Sequence, residues 1–214
     1  TSKTDARASI HGDVLHSRPA VVNYNRHGND NDVYIYYGAN DGVFRAVKGG
    51  SAQSDLSEPT PGEEAWGFIP KELFGNLKRV RDNSPLISST NKKPYFMDGS
   101  LGVYVKDADT NGQLIAADGD KVHIYISTHR GGRFIYALDV SDPLDPKLLW
   151  SHANTDAGWA ELGQTWSVPQ VQTLNWSAAN SNHPVLIFGA GYDPAVEDVD
   201  TATITAVNAT TGAV

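Results

Sequence analysis

A strand, a polar loop and a second strand are encoded by Leu101-Gly-Val-Tyr-Val105, Asp107-Ala-Asp-Thr-Asn-Gly-Gln-Leu-Ile-Ala-Ala-Asp118 and Val122-His-Ile-Tyr-Ile126. The apolar flanks alternate with a period of two, which is typical of strands. Neither flank has the spacing of an amphipathic helix. The polar segment is therefore predicted to join two strands, and not to be the loop of a helix-loop-helix calcium sensor.

Oxygen-bearing side chains recur in this loop at the spacing of a twelve-residue calcium loop. They occupy loop positions one, three, five and twelve, and Gly112 stands at position six, where a sharp turn is needed. Ile115 at position nine has no side-chain oxygen, so a water molecule or Asp120 has to replace it. The predicted Ca²⁺ ligands are Asp107, Asp109, Asn111, the carbonyl of Gln113, Asp118 and Asp120.

The alternative for this loop is a polar hairpin without metal, because Asp, Asn and Gly favour turns in any case. If calcium binds, we expect a structural site exposed to the outside, with the weak affinity of extracellular modules. Magnesium is expected to substitute poorly, since it demands a smaller octahedral cage.

The strands of the chain recur in rounds that share an opening pattern. Each round opens with a serine before an apolar strand, at Ser17-Arg-Pro-Ala-Val21, Ser100-Leu-Gly-Val103 and Ser167-Val-Pro-Gln-Val171. Four-stranded meanders of about 50 to 60 residues are typical of propeller blades. We predict a single all-β, β-propeller-like domain over 1–214, with blade-like units at about 13–70, 95–153 and 165–214.

The predicted ring of blades is incomplete. Trp66 and Trp150 mark the fourth strands of the first two units, whereas the third unit lacks its fourth strand. We therefore expect a piece of a larger propeller, with Ile204–Val214 either disordered or paired with chain outside this sequence, because exposed strand edges attract partners. One short helix is predicted at Lys71–Val80. A β-sandwich is the architectural alternative.

Composition limits the classes of function. The chain has 214 residues, a net charge of −8 and no cysteine. The negative charge argues against nucleic-acid binding, which needs a basic face. The lack of cysteine excludes disulfides, thiolate metal sites and cysteine nucleophiles, and no apolar run is long enough for a membrane span.

Other candidate sites are weaker. The seven histidines lack the spacing of a helical zinc motif, and His123, within a strand, is predicted to be structural. The acidic loop 193–200 could bind a second cation but lacks calcium-loop spacing. Five tryptophans are expected mostly to pack in the blades, and ligand stacking is the alternative; they are Trp66, Trp150, Trp159, Trp166 and Trp176.

Several motifs in order resemble the C-terminal propeller domain of the PilY/PilC-type pilus-tip proteins. The resemblance extends from Gly12 to Asp193. The motifs are Gly12-Asp-Val-Leu-His-Ser-Arg-Pro, Tyr36-Tyr-Gly-Ala-Asn-Asp-Gly-Val-Phe-Arg-Ala, Ala65-Trp-Gly-Phe-Ile-Pro, Tyr95-Phe-Met-Asp-Gly-Ser, Arg130-Gly-Gly-Arg-Phe-Ile-Tyr-Ala-Leu-Asp-Val-Ser-Asp-Pro and Thr165-Trp-Ser-Val-Pro.

The resemblance implies a non-enzymatic type IV pilus protein in the cell envelope or outside a Gram-negative cell, at the pilus tip or outer-membrane surface. Implied partners are minor pilins of the tip or the pilus machinery, a host or abiotic surface, and the remainder of the propeller. The implied roles are pilus assembly, opposition to retraction, twitching motility and adhesion. Members of the family carry calcium loops, which Asp107, Asp109, Asn111 and Asp118 match, whereas Ile115 departs from the acidic residue often seen there.

The alternative function is a fragment of a quinoprotein-like propeller dehydrogenase. Such enzymes share tryptophan-bearing blades and use calcium beside a quinone. An enzyme of that kind needs a complete ring with a catalytic carboxylate in an axial pocket, whereas the acidic cluster of this sequence lies in a loop between strands. A bound quinone would colour the purified protein.

Overall fold

Three antiparallel sheets form the protein in a computed structural model, which describes residues 11–174, 183–193 and 203–214. The first sheet contains β1 (Ala20–Asn23), β2 (Val33–Gly38), β3 (Phe44–Lys48) and β4 (Glu64–Phe68). The second contains β5 (Leu101–Lys106), β6 (Lys121–Ser127), β7 (Phe134–Asp139) and β8 (Lys147–Ala153). The third contains β9 (Gln170–Leu174), β10 (His183–Gly189) and β11 (Ile204–Asn208).

Each sheet is a simple meander in which every strand pairs with the next one along the chain. The short connections 39–43 and 128–133 favour this order, because a short loop brings the next strand alongside in the antiparallel direction. The prediction of an all-β chain of four-stranded, blade-like units is confirmed, and the described residues do not close into a ring. The sandwich alternative is not needed to explain any of the three sheets.

The central sheet has a hydrophobic core on each face, and the residues of β6 contribute to both cores. Val122, Ile124 and Ile126 belong to the core shared with the first sheet, whereas Tyr125 belongs to the core shared with the third. Successive strand residues point to opposite faces, so a strand between two cores must be apolar on both. This is why His123, which faces the same side as Tyr125, is buried between Tyr104 and Tyr125, as its predicted structural role requires.

Two tryptophans repeat the same contact between neighbouring units. Trp66 lies opposite Ala46 and donates its indole N–H to the carbonyl of Pro143, at 2.8 Å. Trp150 lies opposite Ala137 and donates to the carbonyl of Ala209, at 3.1 Å. Each acceptor follows the third strand of the next sheet, so a fourth-strand indole joins one blade to the next. The internal repeat predicted from the sequence is thus present in the packing as well as in the strand order.

The third sheet has three strands among the described residues, as predicted. Its strand β11 pairs with β10 on one side, and no described strand pairs with its other edge. Within the Ile204–Val214 segment, Ile204–Asn208 forms this strand and a turn follows it. A strand partner from outside this sequence stays a prediction.

A short helical segment follows the first sheet. A 3-10 turn at Lys71–Leu73 continues into α1 (Phe74–Asp82), close to the predicted Lys71–Val80. Arg79 and Arg81 lie in the last turn, where positive charge is favourable, and Asn83 ends the helix in a left-handed conformation. Within the described ranges, no helix is long and apolar enough to cross a membrane.

Candidate cation site

The loop between β5 and β6 folds back onto the first sheet. The amide of Leu114 donates to the carbonyl of Tyr24 at 2.8 Å, and the side chain of Leu114 is buried. The side-chain amide of Asn25 donates to the carbonyl of Gly112 at 3.0 Å. The loop therefore belongs to the interface between the first two blades as well as to its own hairpin.

Three carboxylates converge inside this loop. One oxygen from each of Asp107, Asp109 and Asp120 lies within 4.8 Å of the other two. Two oxygens bound to one calcium ion are at most about 5 Å apart, because each Ca–O bond is 2.3–2.6 Å long. The three carboxylates are therefore close enough to share one ion without a change of fold.

Asp120 shapes the loop from the inside. Its side chain is buried, and its two oxygens accept the amides of Ala108 at 2.7 Å and Ile115 at 2.8 Å. Both ends of the loop are thereby tied to one carboxylate at the start of β6. A carboxylate oxygen has more than one lone-pair site, so these bonds leave acceptor capacity for a cation.

The two carboxylate oxygens of Asp107 differ in their hydrogen bonding. Its Oδ2 accepts the Gly112 amide at 2.8 Å, and this bond lowers the pKa of Asp107 below its usual value. Its Oδ1 is buried and makes no hydrogen bond to the described residues. A buried polar atom without a partner is unfavourable, and a hard cation would satisfy this oxygen. Gly112 permits the arrangement because its φ of +79° lies in the left-handed region.

The structure places the other predicted ligands differently. Asn111 donates to Asp109 Oδ2 at 2.8 Å and accepts the Gln113 amide at 2.7 Å, so it braces the loop. Asp118 is exposed at the end of a 3-10 turn, Ala116–Asp118, and is not in the group of converging carboxylates. Asp120, expected only to fill a gap, is the third carboxylate of that group.

Two further groups bring acidic and histidine side chains together. Asp32 and Glu58 lie beside His27, but both also pair with the buried Lys48, so cations from the chain already compensate their charge. The other group is His16, Asp98 and His129. Sequence spacing missed it because its members are far apart in the chain. The repeat offers a sequence signal, since His16 lies one residue before Ser17 and Asp98 lies two residues before Ser100, the serines of the first two openers.

The predicted second cation site at 193–200 lies largely outside the described residues. Asp193 is described, and it pairs with Arg133. Among the tryptophans, Trp159 is buried, whereas Trp166 is 48% exposed and lies against His129 of the second unit. Trp176 lies outside the described residues.

The sheets and the loop define a propeller-like, all-β protein with a cluster of carboxylates at a blade interface. No family model matches the chain. It is 28% identical over 201 residues to the type IV pilus biogenesis factor PilY1 of Pseudomonas aeruginosa strain UCBPP-PA14, covering 82% of this chain and 15% of that protein. It is also 29% identical over 156 residues to the PilY1 homolog of Xylella fastidiosa. That match covers 70% of this chain and 10% of the X. fastidiosa protein.

These matches establish homology to PilY1 and confirm the resemblance seen in the sequence motifs. The crystal structure of the P. aeruginosa PilY1 C-terminal domain is also similar, with 25% identity and a TM-score of 0.49, covering 85% of this chain and 29% of that chain. The chain spans 15% or less of the length of these two curated relatives.

Proposed function

We propose that the chain is a non-enzymatic module of a type IV pilus biogenesis protein and that a structural calcium ion stabilises its β5–β6 loop. The pilus role is supported by the relatives, which are named as biogenesis factors and not as enzymes. The observation that carries the calcium proposal is Asp107 Oδ1, a buried carboxylate oxygen without a partner beside two other carboxylates.

Calcium in this loop would act on the blade interface. Without an ion, Asp107, Asp109 and Asp120 repel one another within 4.8 Å. The same loop makes the contacts to Tyr24 and Asn25 of the first unit. Neutralising the carboxylates therefore stabilises the hairpin and its attachment to the neighbouring blade together. The site has a mechanical role, and Asp107, Asp109 and Asp120 are its principal ligands, with Asn111, Gln113 and Asp118 as the less direct candidates.

The expected stabilisation is modest. With a Kd near 10⁻⁴ to 10⁻³ M, typical of extracellular modules, millimolar calcium adds about 0.4 to 1.4 kcal/mol. That amount orders a hairpin but does not by itself hold a domain together. A weak site of this kind fits a protein that works outside the cell, at the pilus tip or the outer-membrane surface, where calcium is abundant.

The test is thermal unfolding in calcium, in magnesium and in chelator. Calcium is expected to raise the melting temperature of the wild-type chain, and magnesium to raise it less. Asp107→Asn is expected to abolish the rise, whereas Asp118→Asn, an identical change at an exposed carboxylate of the same loop, should keep most of it. A calcium-dependent rise that survives Asp107→Asn would place the ion elsewhere. No rise in the wild type would leave the polar-hairpin interpretation.

The cellular part of the proposal covers pilus assembly, opposition to retraction, twitching and surface attachment, through contacts with tip pilins or the pilus machinery. Deleting this segment from the full-length protein should reduce surface piliation and twitching. If piliation falls in the wild-type background but returns when the retraction motor is also removed, the module opposes retraction. Unchanged piliation and twitching would contradict the proposal.

A further inference from the structure

The residues beside the serines of the three openers meet at one point of the molecule. His16 precedes Ser17, Asp98 lies two residues before Ser100, and Trp166 precedes Ser167. The first strands of neighbouring sheets contact one another, β1 with β5 and β5 with β9. Each unit therefore presents its opener to the same region, and His129, which follows β6, completes the cluster.

We propose that His16, Asp98 and His129 bind a divalent transition-metal ion of the zinc class at this junction of the three sheets. The site is distinct from the acidic loop and independent of the pilus role proposed above. Two imidazoles and one carboxylate are the ligand set that such ions prefer, whereas calcium prefers oxygen ligands alone.

The distances suit one ion. His16 Nδ1 lies 2.8 Å and His129 Nδ1 lies 3.2 Å from the same oxygen of Asp98. One ligand atom from each residue lies within 4.8 Å of the other two. Ligand atoms of a tetrahedral zinc site are about 3.4 Å apart, because the bonds are close to 2.1 Å. Side-chain movements of about 1.4 Å or less are then enough to close the site.

Asp98 is a buried carboxylate that lacks a fixed cation. Its side chain is fully buried; Oδ2 faces the two histidines, and Oδ1 accepts the side-chain amide of Asn40 at 2.9 Å. In the part of the chain that the structure describes, no lysine or arginine forms an ion pair with it. The Asp32–Glu58 group differs here, because Lys48 and Arg26 occupy the position that a metal would need.

His129 is positioned beside Asp98 by its backbone. Its backbone φ of +51° is uncommon for a residue other than glycine, and this conformation presents the ring to Asp98.

The site is open to solvent on one side. A cavity of about 350 Å³ is lined by residues of all three openers and by His129. Trp166 forms part of its wall, with its ring centroid 3.6 Å from that of His129, and the guanidinium of Arg130 lies over the Trp166 ring, 5.2 Å from its centroid. Three protein ligands with an accessible fourth position are typical of zinc sites that hold water or an exchangeable ligand.

The experiment is a zinc titration of the chain without a polyhistidine tag, in saturating calcium so that the acidic loop is occupied. One zinc ion per chain is expected by calorimetry, and Co²⁺ in place of zinc should give visible d–d absorption. His16 is partly exposed, so His16→Ala is expected to stay folded and to bind zinc at least about ten-fold more weakly. His183→Ala, the same change at an exposed histidine of β10, should bind like the wild type.

Three results would overturn the proposal. They are the absence of zinc binding by the folded wild type, unchanged zinc affinity in folded His16→Ala, and equal losses in His16→Ala and His183→Ala. If circular dichroism shows that His16→Ala is unfolded, His129→Asn replaces it, because asparagine tolerates the left-handed backbone. Zinc affinity unchanged in that variant would overturn the proposal in the same way.

Discussion

Two groups of carboxylates in neighbouring blades differ in where their positive charge comes from. Asp32 and Glu58 in the first blade are buried, and Lys48, whose side chain is fully buried, contacts them at 3.1 and 2.7 Å. Arg26 adds two bonds to Asp32, at 2.8 and 2.7 Å. Asp107 and its neighbours in the second blade contact amide groups instead.

The first blade supplies its own cations, whereas the proposed calcium site of the second blade would take its cation from solution. In the first blade the chain supplies both signs of charge, so that network forms as part of folding. In the β5–β6 loop, backbone amides partly satisfy the carboxylates but add no full positive charge, and one buried oxygen keeps no partner. Under the calcium proposal, an ion from solution would complete that group. The proposal therefore predicts that carboxylates stabilise the first blade with or without calcium and the second blade only when calcium is bound.

The largest expected effect is the loss of the chain's own cation. Lys48→Met leaves Asp32 and Glu58 buried with Arg26 and His27 as their remaining basic partners. Breaking a buried ion pair on one side destabilises by about 3–5 kcal/mol. Urea unfolding measures the change. Lys147→Met is the control: Lys147 pairs with Asp145 at the surface, both side chains being 71% exposed, so its effect is expected below about 1 kcal/mol. Equal effects of the two substitutions would show that burial of the network contributes no stability.

Acid should weaken the network through Asp32. Burial alone raises the pKa of Asp32, but the hydrogen bonds and charge of Arg26, with a further contribution from Lys48, lower it from 3.8 to about 2. A carboxyl whose pKa is lowered by folding stabilises the protein above its unfolded pKa. That stability, about 2 kcal/mol, is lost as the pH falls from about 4 to about 2.

Urea unfolding between pH 6 and pH 2 measures this loss, in chelator so that calcium binding does not contribute. Asp32→Asn should be less stable at pH 6 and should show a shallower decline below pH 4. A decline as steep as that of the wild type would assign the acid sensitivity to other carboxyls, among them Glu58, whose pKa is also lowered.

The smallest effect is expected from the matching substitution in the loop. In chelator, Asp107→Asn should change the free energy of unfolding only slightly, because it removes a charge that has no cation partner. Asp32→Asn under the same conditions should lower the free energy of unfolding clearly more, because Lys48 and Arg26 lose an anionic partner. If Asp107→Asn destabilises as much as Asp32→Asn without calcium, the two groups are equivalent and the loop does not depend on solvent for its charge.

The sequence by itself determined the features that depend on neighbouring residues. Period-two alternation predicted β2, β6 and β7, and the repeated openers with Trp66 and Trp150 predicted four-stranded units in order. The helix was predicted within two residues of its observed end. The position of the polar loop was predicted from the strand patterns on either side of it. Strand pattern, turn residues and loop length are local properties, so they can be read without knowing which distant segments meet.

Only the tertiary structure decided which side chains meet. A 3-10 turn at Ala116–Asp118 turns Asp118 outward and leaves Asp120 beside Asp107, which no fixed loop spacing reveals. The pairing of Lys48 with Glu58 depends on how the β3–β4 loop folds back over the sheet. His16, Asp98 and His129 are brought together from positions 82 and 31 residues apart. Such contacts depend on the packing of whole sheets against one another, and packing is a property of distant parts of the chain that local pattern does not contain.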